Sequence, residues 1–219
     1  MTVVTVEAKR TFSANCYLVA AQSGSCAVID PGAEGENIIA ALEERRWTPR
    51  MILLTHGHYD HIGAVKVLQE RYPGLSVSIH PGDKPFVSGD PQAMSRGMQA
   101  LISSSGRTAE EFILSIDHWF TDGEIIPLEE LSFTVLETPG HTPGSVCLAC
   151  GDYLFSGDTL FLHDVGRTDL FGGDAQALYR SIRRLSLLEQ DYIVCPGHED
   201  RTSLSNEQEY FKALLEYGL

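Results

Sequence analysis

The stretch Met51-Ile52-Leu53-Leu54-Thr55-His56-Gly57-His58-Tyr59-Asp60-His61 decides how this chain is read. Its first four residues are apolar and too few for a helix, so they read as a short buried strand. Directly past the strand's end stand four potential metal donors: His56, His58, Asp60 and His61. A tight loop there turns such side chains inward from opposite sides, and imidazole with carboxylate suits zinc, iron or manganese. A polar surface loop is the plainer alternative, but packing rarely recruits three histidines and an aspartate at this density.

Before this stretch, Val3–Val6, Cys16–Val19 and Cys26–Ile29 read as strands. Asp30-Pro31-Gly32 closes the third, and Ile38, Ile39 and Leu42 form the stripe of a helix over Glu36–Arg46. Asp30 is either an acceptor behind a ligand histidine or a plain turn residue. Beyond the stretch, Val65, Leu68 and Tyr72 mark a second helix stopped by Pro73-Gly74, and Val77–Ile79 is another strand. The alternation of strand and helix predicts an α/β layered fold. Met94–Ile102 and Ala109–Ile116 are amphipathic and predict helices overhanging a site. The second half returns to strands at Glu124–Pro127, Leu131–Leu136, Ser145–Cys150, Tyr153–Phe155 and Asp191–Cys195. Asp174 caps a helix carrying Leu178, Ile182 and Leu185, and Ser205-x-x-Gln208 opens a last one with Phe211, Leu214 and Leu215. The halves predict two similar layers face to face with helices outside, in one domain over residues 1–219.

Three further donors follow strands in this second half. His141 lies in Thr138-Pro139-Gly140-His141-Thr142-Pro143-Gly144, Asp158 in Gly157-Asp158-Thr159, and His198 in Pro196-Gly197-His198. Each alone is weak, because turns recruit such residues anyway. Together they make five histidines and two aspartates on loops that follow strands, where layered scaffolds place function. Seven donors exceed one tetrahedral zinc. They suit two cations about 3.5–4 Å apart, sharing a carboxylate and holding a hydroxide that is nucleophilic at neutral pH.

With 16 basic and 30 acidic residues the chain carries a formal charge of −14, which repels phosphate backbones and argues against nucleic-acid partners. Apolar runs are too short for a membrane span, and MTVVTVEAKR does not resemble a signal peptide. The five scattered cysteines do not suggest a disulfide framework, so a cytoplasmic location is expected. Cys147-Leu-Ala-Cys150 lies within a strand. Its thiols then face opposite sides, which favours buried structural cysteines over a shared metal.

The T-H-x-H-x-D-H segment, P-G-H-T-P-G, G-D-T and the final P-G-H resemble the metallo-β-lactamase fold superfamily from about residue 12 to 200. The resemblance implies a four-layer αββα sandwich of two mixed sheets with the site at one edge. It implies that His56, His58 and His141 hold one metal, that Asp60, His61 and His198 hold the other, and that Asp158 bridges them. True β-lactamases of the superfamily lack such a bridging aspartate. Phe12-x-x-Asn15-Cys16-Tyr17, Asp30-Pro31-Gly32 and Gly157-Asp158-Thr159-Leu160-Phe161 resemble the short glyoxalase II-like branch, similar to hydroxyacylglutathione hydrolases. That implies a binuclear thioester hydrolase, most simply with two zinc ions, acting on a small-molecule S-acylglutathione-like substrate through a metal-bridged hydroxide. Asp60 then also orients the nucleophile or takes its proton. The separate helical C-terminal substrate region of full-length members has no counterpart here. Where that branch has a Lys/Tyr pair, this chain reads Val165-Gly166-Arg167-Thr168-Asp169-Leu170. Arg167 there either grips a substrate carboxylate or pairs with Asp169. Gly166-Arg167-Thr168-Asp169 also resembles persulfide dioxygenases of the same fold, which implies a single iron at His56, His141 and Asp158 as the alternative. His163 reads as a solvated loop residue, and Tyr59 and Trp119 as packing aromatics.

Overall fold

A computed structural model describes residues 1–6, 14–32, 34–93, 99, 102 and 106–217. Among them, β1 (Thr2–Val6), β2 (Cys16–Ala20), β3 (Ser25–Ile29), β4 (Thr48–Leu53), β5 (Ser76–Ile79) and β6 (His118–Trp119) lie side by side in chain order. The second sheet is built from β7 (Ile125–Leu128), β8 (Leu131–Glu137), β9 (Val146–Cys150) and β10 (Tyr153–Gly157). A small hairpin, β11 (Leu160–Phe161) with β12 (Asp164–Val165), follows, and then β13 (Ile193–Pro196) and β14 (Thr202–Ser203) complete the sheet in the order β14-β13-β10-β9-β8-β7. Both sheets are mixed: β3-β4-β5-β6 and β10-β13 pair in parallel, and their neighbours antiparallel.

Side-chain alternation along the strands sets the layers. On β2, Tyr17 and Val19 enter a core shared with Phe133, Val135, Leu148 and Phe155 of the other sheet. Leu18 and Ala20 enter a second core with Ile38 and Leu42 of α1 (Gly35–Arg45) and Leu68 of α3 (Val65–Arg71). The short α2 (Tyr59–Ile62) precedes α3, and α4 (Lys84–Val87) follows β5. On the far side, Cys147, Ala149 and Leu154 pack with Leu178 and Ile182 of α5 (Ala175–Leu185) and Phe211 of α6 (Leu204–Tyr217). The result is the expected helix/sheet/sheet/helix stack. β2, β3 and β9 are buried along their whole length because each serves two cores. Cys147 and Cys150 fall in different cores, and all five cysteines are free. No helix among the described residues is long and apolar enough to cross a membrane.

Several local expectations change. The piece at Ala109–Ile116 makes only a 3₁₀ turn over Ala109–Phe112 and then runs extended, because Leu114 N–H donates to Val87 O (2.8 Å) instead of continuing a helix. Met94–Ile102 falls largely outside the described residues, as does Phe12. The last helix starts at Leu204, not at Ser205. The hydroxyl of Ser203 accepts from Asn206 N–H (3.2 Å), while Ser205 N–H turns to Asp191. Trp119 lies on the edge strand β6 and is partly exposed.

Phe155 is fully buried between the sheets, with its ring centroid 5.3 Å from that of Tyr17. Phe155→Ala is expected to cost about 3–5 kcal/mol in urea unfolding, as loss of a large core aromatic does. A cost near zero would place the main core elsewhere.

Candidate metal centre

Strand register brings the donor loops to one edge. β3 and β4 run parallel with Ile29 opposite Leu53, so Asp30 and Thr55 leave the sheet together. In the other sheet β10 and β13 run parallel with Gly157 opposite Pro196, so Asp158 and His198 follow side by side. The Thr138–Ser145 loop joins β8 to β9, and Val146 N–H donates to Thr55 O (2.9 Å). That bond links the two sheets beneath the site. Loops past the carboxyl ends of parallel strands are where open α/β sheets collect ligands.

All seven donors expected from the sequence converge. Their ligand atoms fall into three close groups: His56, His58 and His141; His56, His61 and Asp158; and Asp60, His61 and His198. His58 Nδ1 lies 3.1 Å from His56 Nε2 and 2.9 Å from His141 Nε2. His198 Nε2 lies 3.1 Å from Asp60 Oδ2. Asp158 stands between the groups, its Oδ2 3.4 Å from His141 Nε2 and 3.6 Å from His198 Nε2, and its Oδ1 3.2 Å from His61 Nε2. His61 Nε2 and Asp158 Oδ1 are buried and make no hydrogen bond, despite that short separation. Two such atoms left unpaired are costly. A cation between them would satisfy both, so the donor set fits divalent metal.

The outer faces of several ligands are held. Asp30, in left-handed backbone geometry (φ 48°), accepts from Thr55 N–H (2.8 Å), Thr55 Oγ1 (2.6 Å) and His61 Nδ1 (2.9 Å). Of the two sequence readings of Asp30, the geometry matches the acceptor behind a histidine, which fixes ring and tautomer. His141 Nδ1 donates to the carbonyl of Arg167 (2.8 Å). Gly197 permits the approach of His198: a Cβ there would fall 2.3 Å from Asp158 Oδ1. Asp83 is a fully buried carboxylate near the site that sequence reading missed. Its only cue was its place in His80-Pro81-Gly82-Asp83, a turn that follows a strand just as the donor loops do. The Arg167 guanidinium sits on the rim, 62% exposed, in a bidentate pair with Asp169 (2.7 Å to each oxygen). Solvent screens an exposed pair of this kind, so a substrate carboxylate can compete for it. His163 is exposed and pairs with Glu207 (3.2 Å).

Electrostatics divide the cluster. Burial, with neighbouring imidazoles adding to it, pushes His56 well down and His58 down to about 3, so both are neutral with free lone pairs. Burial also opposes the charged form of His61, but the surrounding Asp158, Asp30 and Asp60 outweigh it and hold its pKa well above the ordinary value. For His198, burial is outweighed by the bond to Asp60 and by Asp158, and its pKa rises too. Burial alone would raise the Asp60 and Asp158 carboxyls. His61 is the main opposing group for both, and they are held below the usual carboxylate range.

The family described as the metallo-beta-lactamase superfamily matches residues 10–198. A hydroxyacylglutathione hydrolase of Klebsiella pneumoniae is 32% identical over 183 residues, covering 84% of this chain and 61% of that protein. The chain thus spans less than two thirds of that relative. Among solved structures, the BLEG-1 B3 metallo-beta-lactamase superposes with a TM-score of 0.82 at 32% identity, covering 95% of this chain and 97% of that one. TTHA1623 in a di-iron-bound form gives 0.77 at 36% (94% and 96%). ETHE1 from Myxococcus xanthus gives 0.74 at 26% (99% and 90%).

A metal entering the second group must displace protons from His61 and His198, whereas His56 and His58 are already neutral. Zinc titrated into the metal-free protein near pH 7 is therefore expected to release protons. Affinity at the Asp60/His61/His198 group should rise with pH through neutrality, while affinity at the first group changes less. Calorimetry in buffers of different ionisation enthalpy reads this. Binding with no proton release would contradict the charge states.

Proposed function

The chain belongs to the metallo-β-lactamase superfamily, and from that premise we propose that it is a binuclear metallohydrolase acting on a small-molecule thioester. In this reading His56, His58 and His141 hold one divalent cation, Asp60, His61 and His198 hold the other, and Asp158 is shared. The observation that carries it is the position of Asp158, within 3.2–3.6 Å of histidines from both groups. Zinc is the simplest choice for this N/O donor set, and the di-iron-bound relative keeps iron as a competitor. Bound cations supply Lewis acidity to a carbonyl and acidify a water at neutral pH.

The protein's own groups do the rest. Burial keeps His56 and His58 unprotonated, and the Arg167 carbonyl and Asp30 hold His141 and His61 in place. Asp60, 3.1 Å from His198 and slightly exposed, is the carboxylate that would orient a water or take its proton. Arg167 on the rim exchanges Asp169 for a carboxylate of the substrate. A thioester suits such a site because a thiolate is a weak base and leaves without a separate strong acid. The hydroxyacylglutathione hydrolase relatives, at 32% and 36% identity, support this chemistry. The acidic surface and the cytoplasmic location expected from the cysteines agree with a diffusible small substrate.

A second reading, a mononuclear iron dioxygenase acting on a persulfide, draws on Gly166-Arg167-Thr168-Asp169 and on the likeness to ETHE1. Metal analysis with a substrate panel separates the two. We expect about two metals per chain, hydrolysis of S-acylglutathione and simpler thioesters, and loss of activity on chelation. His58→Ala and Asp158→Ala should each lower kcat/KM by at least about 100-fold, the scale on which removal of one electrostatic group from an active site acts. The panel includes a chromogenic β-lactam, because BLEG-1 carries that activity in its name. One iron with sulfur-dependent oxygen uptake would select the second reading, and turnover of the β-lactam alone would overturn both.

A further inference from the structure

Asp83 ends the turn that follows β5 and is fully buried. Its Oδ2 accepts from Gly57 N–H (2.7 Å) and from the Thr142 hydroxyl (2.8 Å), and its Oδ1 accepts from Gly144 N–H (2.7 Å). Gly57 separates His56 from His58, while Thr142 and Gly144 follow His141. One carboxylate therefore ties together the two loops, one from each sheet, that carry the three imidazoles of the first group. The contact is close-packed: a Cβ on Gly144 would fall 2.7 Å from Asp83 Cγ. Thr142 is braced in turn by Ser145 Oγ (2.7 Å). None of these bonds reaches Asp60, His61 or His198.

A merely structural tie has cheaper chemistry available. Among the described residues no lysine or arginine pairs with Asp83, and burying a carboxylate without a cation is costly. The first group also consists of three imidazoles, with only the shared Asp158 to offset a dication. Burial raises the Asp83 carboxyl, and the Thr142 hydroxyl, the Gly57 and Gly144 amides and nearby His141 oppose that rise.

Resting on the two-metal reading above, we propose that Asp83 is a positioning residue for the first metal alone: by tying the two loops together it holds His58 and His141 at their separation. Asp30 plays the corresponding part for His61, which it contacts directly, and reaches His56 only through the Thr55 hydroxyl.

The test isolates each site in the full-length chain. His198→Ala leaves the first group and His58→Ala leaves the second. Zinc affinity is measured in each background by competition with a chromophoric chelator. Asp83→Asn is expected to weaken zinc by about 10–100-fold in the His198→Ala background, the usual cost of losing an outer partner, and to change it less than about 2-fold in the His58→Ala background. Asp30→Asn should weaken zinc most in the His58→Ala background, where the His61 it contacts is a ligand. If Asp83→Asn does not fold, Thr142→Val decides. It removes one donor to Asp83 while keeping shape, and should weaken zinc a few-fold in the first background only. Equal losses in both backgrounds, or none in the first, would overturn the proposal while leaving the two-metal reading intact. Failure of both parent backgrounds to bind zinc would overturn that reading, and this one with it.

Discussion

Seven lone-pair donors held within a few ångströms, largely away from water, form an arrangement that no chain adopts for its own sake. Each unpaired buried atom costs free energy, and like-oriented lone pairs repel. The rest of the structure is what makes this arrangement tolerable. Two sheets share a core of large aromatics, and helices cover both outer faces, so the scaffold is stiff enough to present the loops without collapsing onto them. The parallel pairs β3-β4 and β10-β13 end at the same edge, and that single topological fact assembles donors that are 142 positions apart in sequence, from His56 to His198.

Charge is distributed to match. On one side are rings kept neutral by burial; on the other, two histidines held protonated by three aspartates. Divalent metal resolves both halves at once, filling the lone pairs of the first and replacing the protons of the second. Around that core, Asp30 and Asp83 satisfy backbone amides and hydroxyls and lock the loops to the sheets. The site is thus wired to the scaffold by buried carboxylates and not by loop packing alone.

Much of this was legible in the chain. Short apolar runs and Pro/Gly stops marked the strands, and helix stripes such as Leu178, Ile182 and Leu185 marked the faces that pack. The donors stood out because histidines at strand ends have few structural excuses. What stayed hidden was decided by partners distant in sequence. Asp83 went unread because its donors lie on loops 26 and 61 positions away. The stretch after Ala109 carried an amphipathic pattern, but its backbone pairs with Val87, which no local signal announces. The last helix starts at Leu204, with the Ser203 hydroxyl accepting from Asn206 N–H, because Asp191 takes the Ser205 amide from a distant position.

Anomalous scattering from a crystal of the zinc-loaded protein, collected on both sides of the zinc edge, tests the central claim most directly. The account predicts two peaks per chain on either side of the Asp158 carboxylate, one among His56, His58 and His141 and the other among Asp60, His61 and His198. A single peak, or peaks away from these side chains, would contradict it.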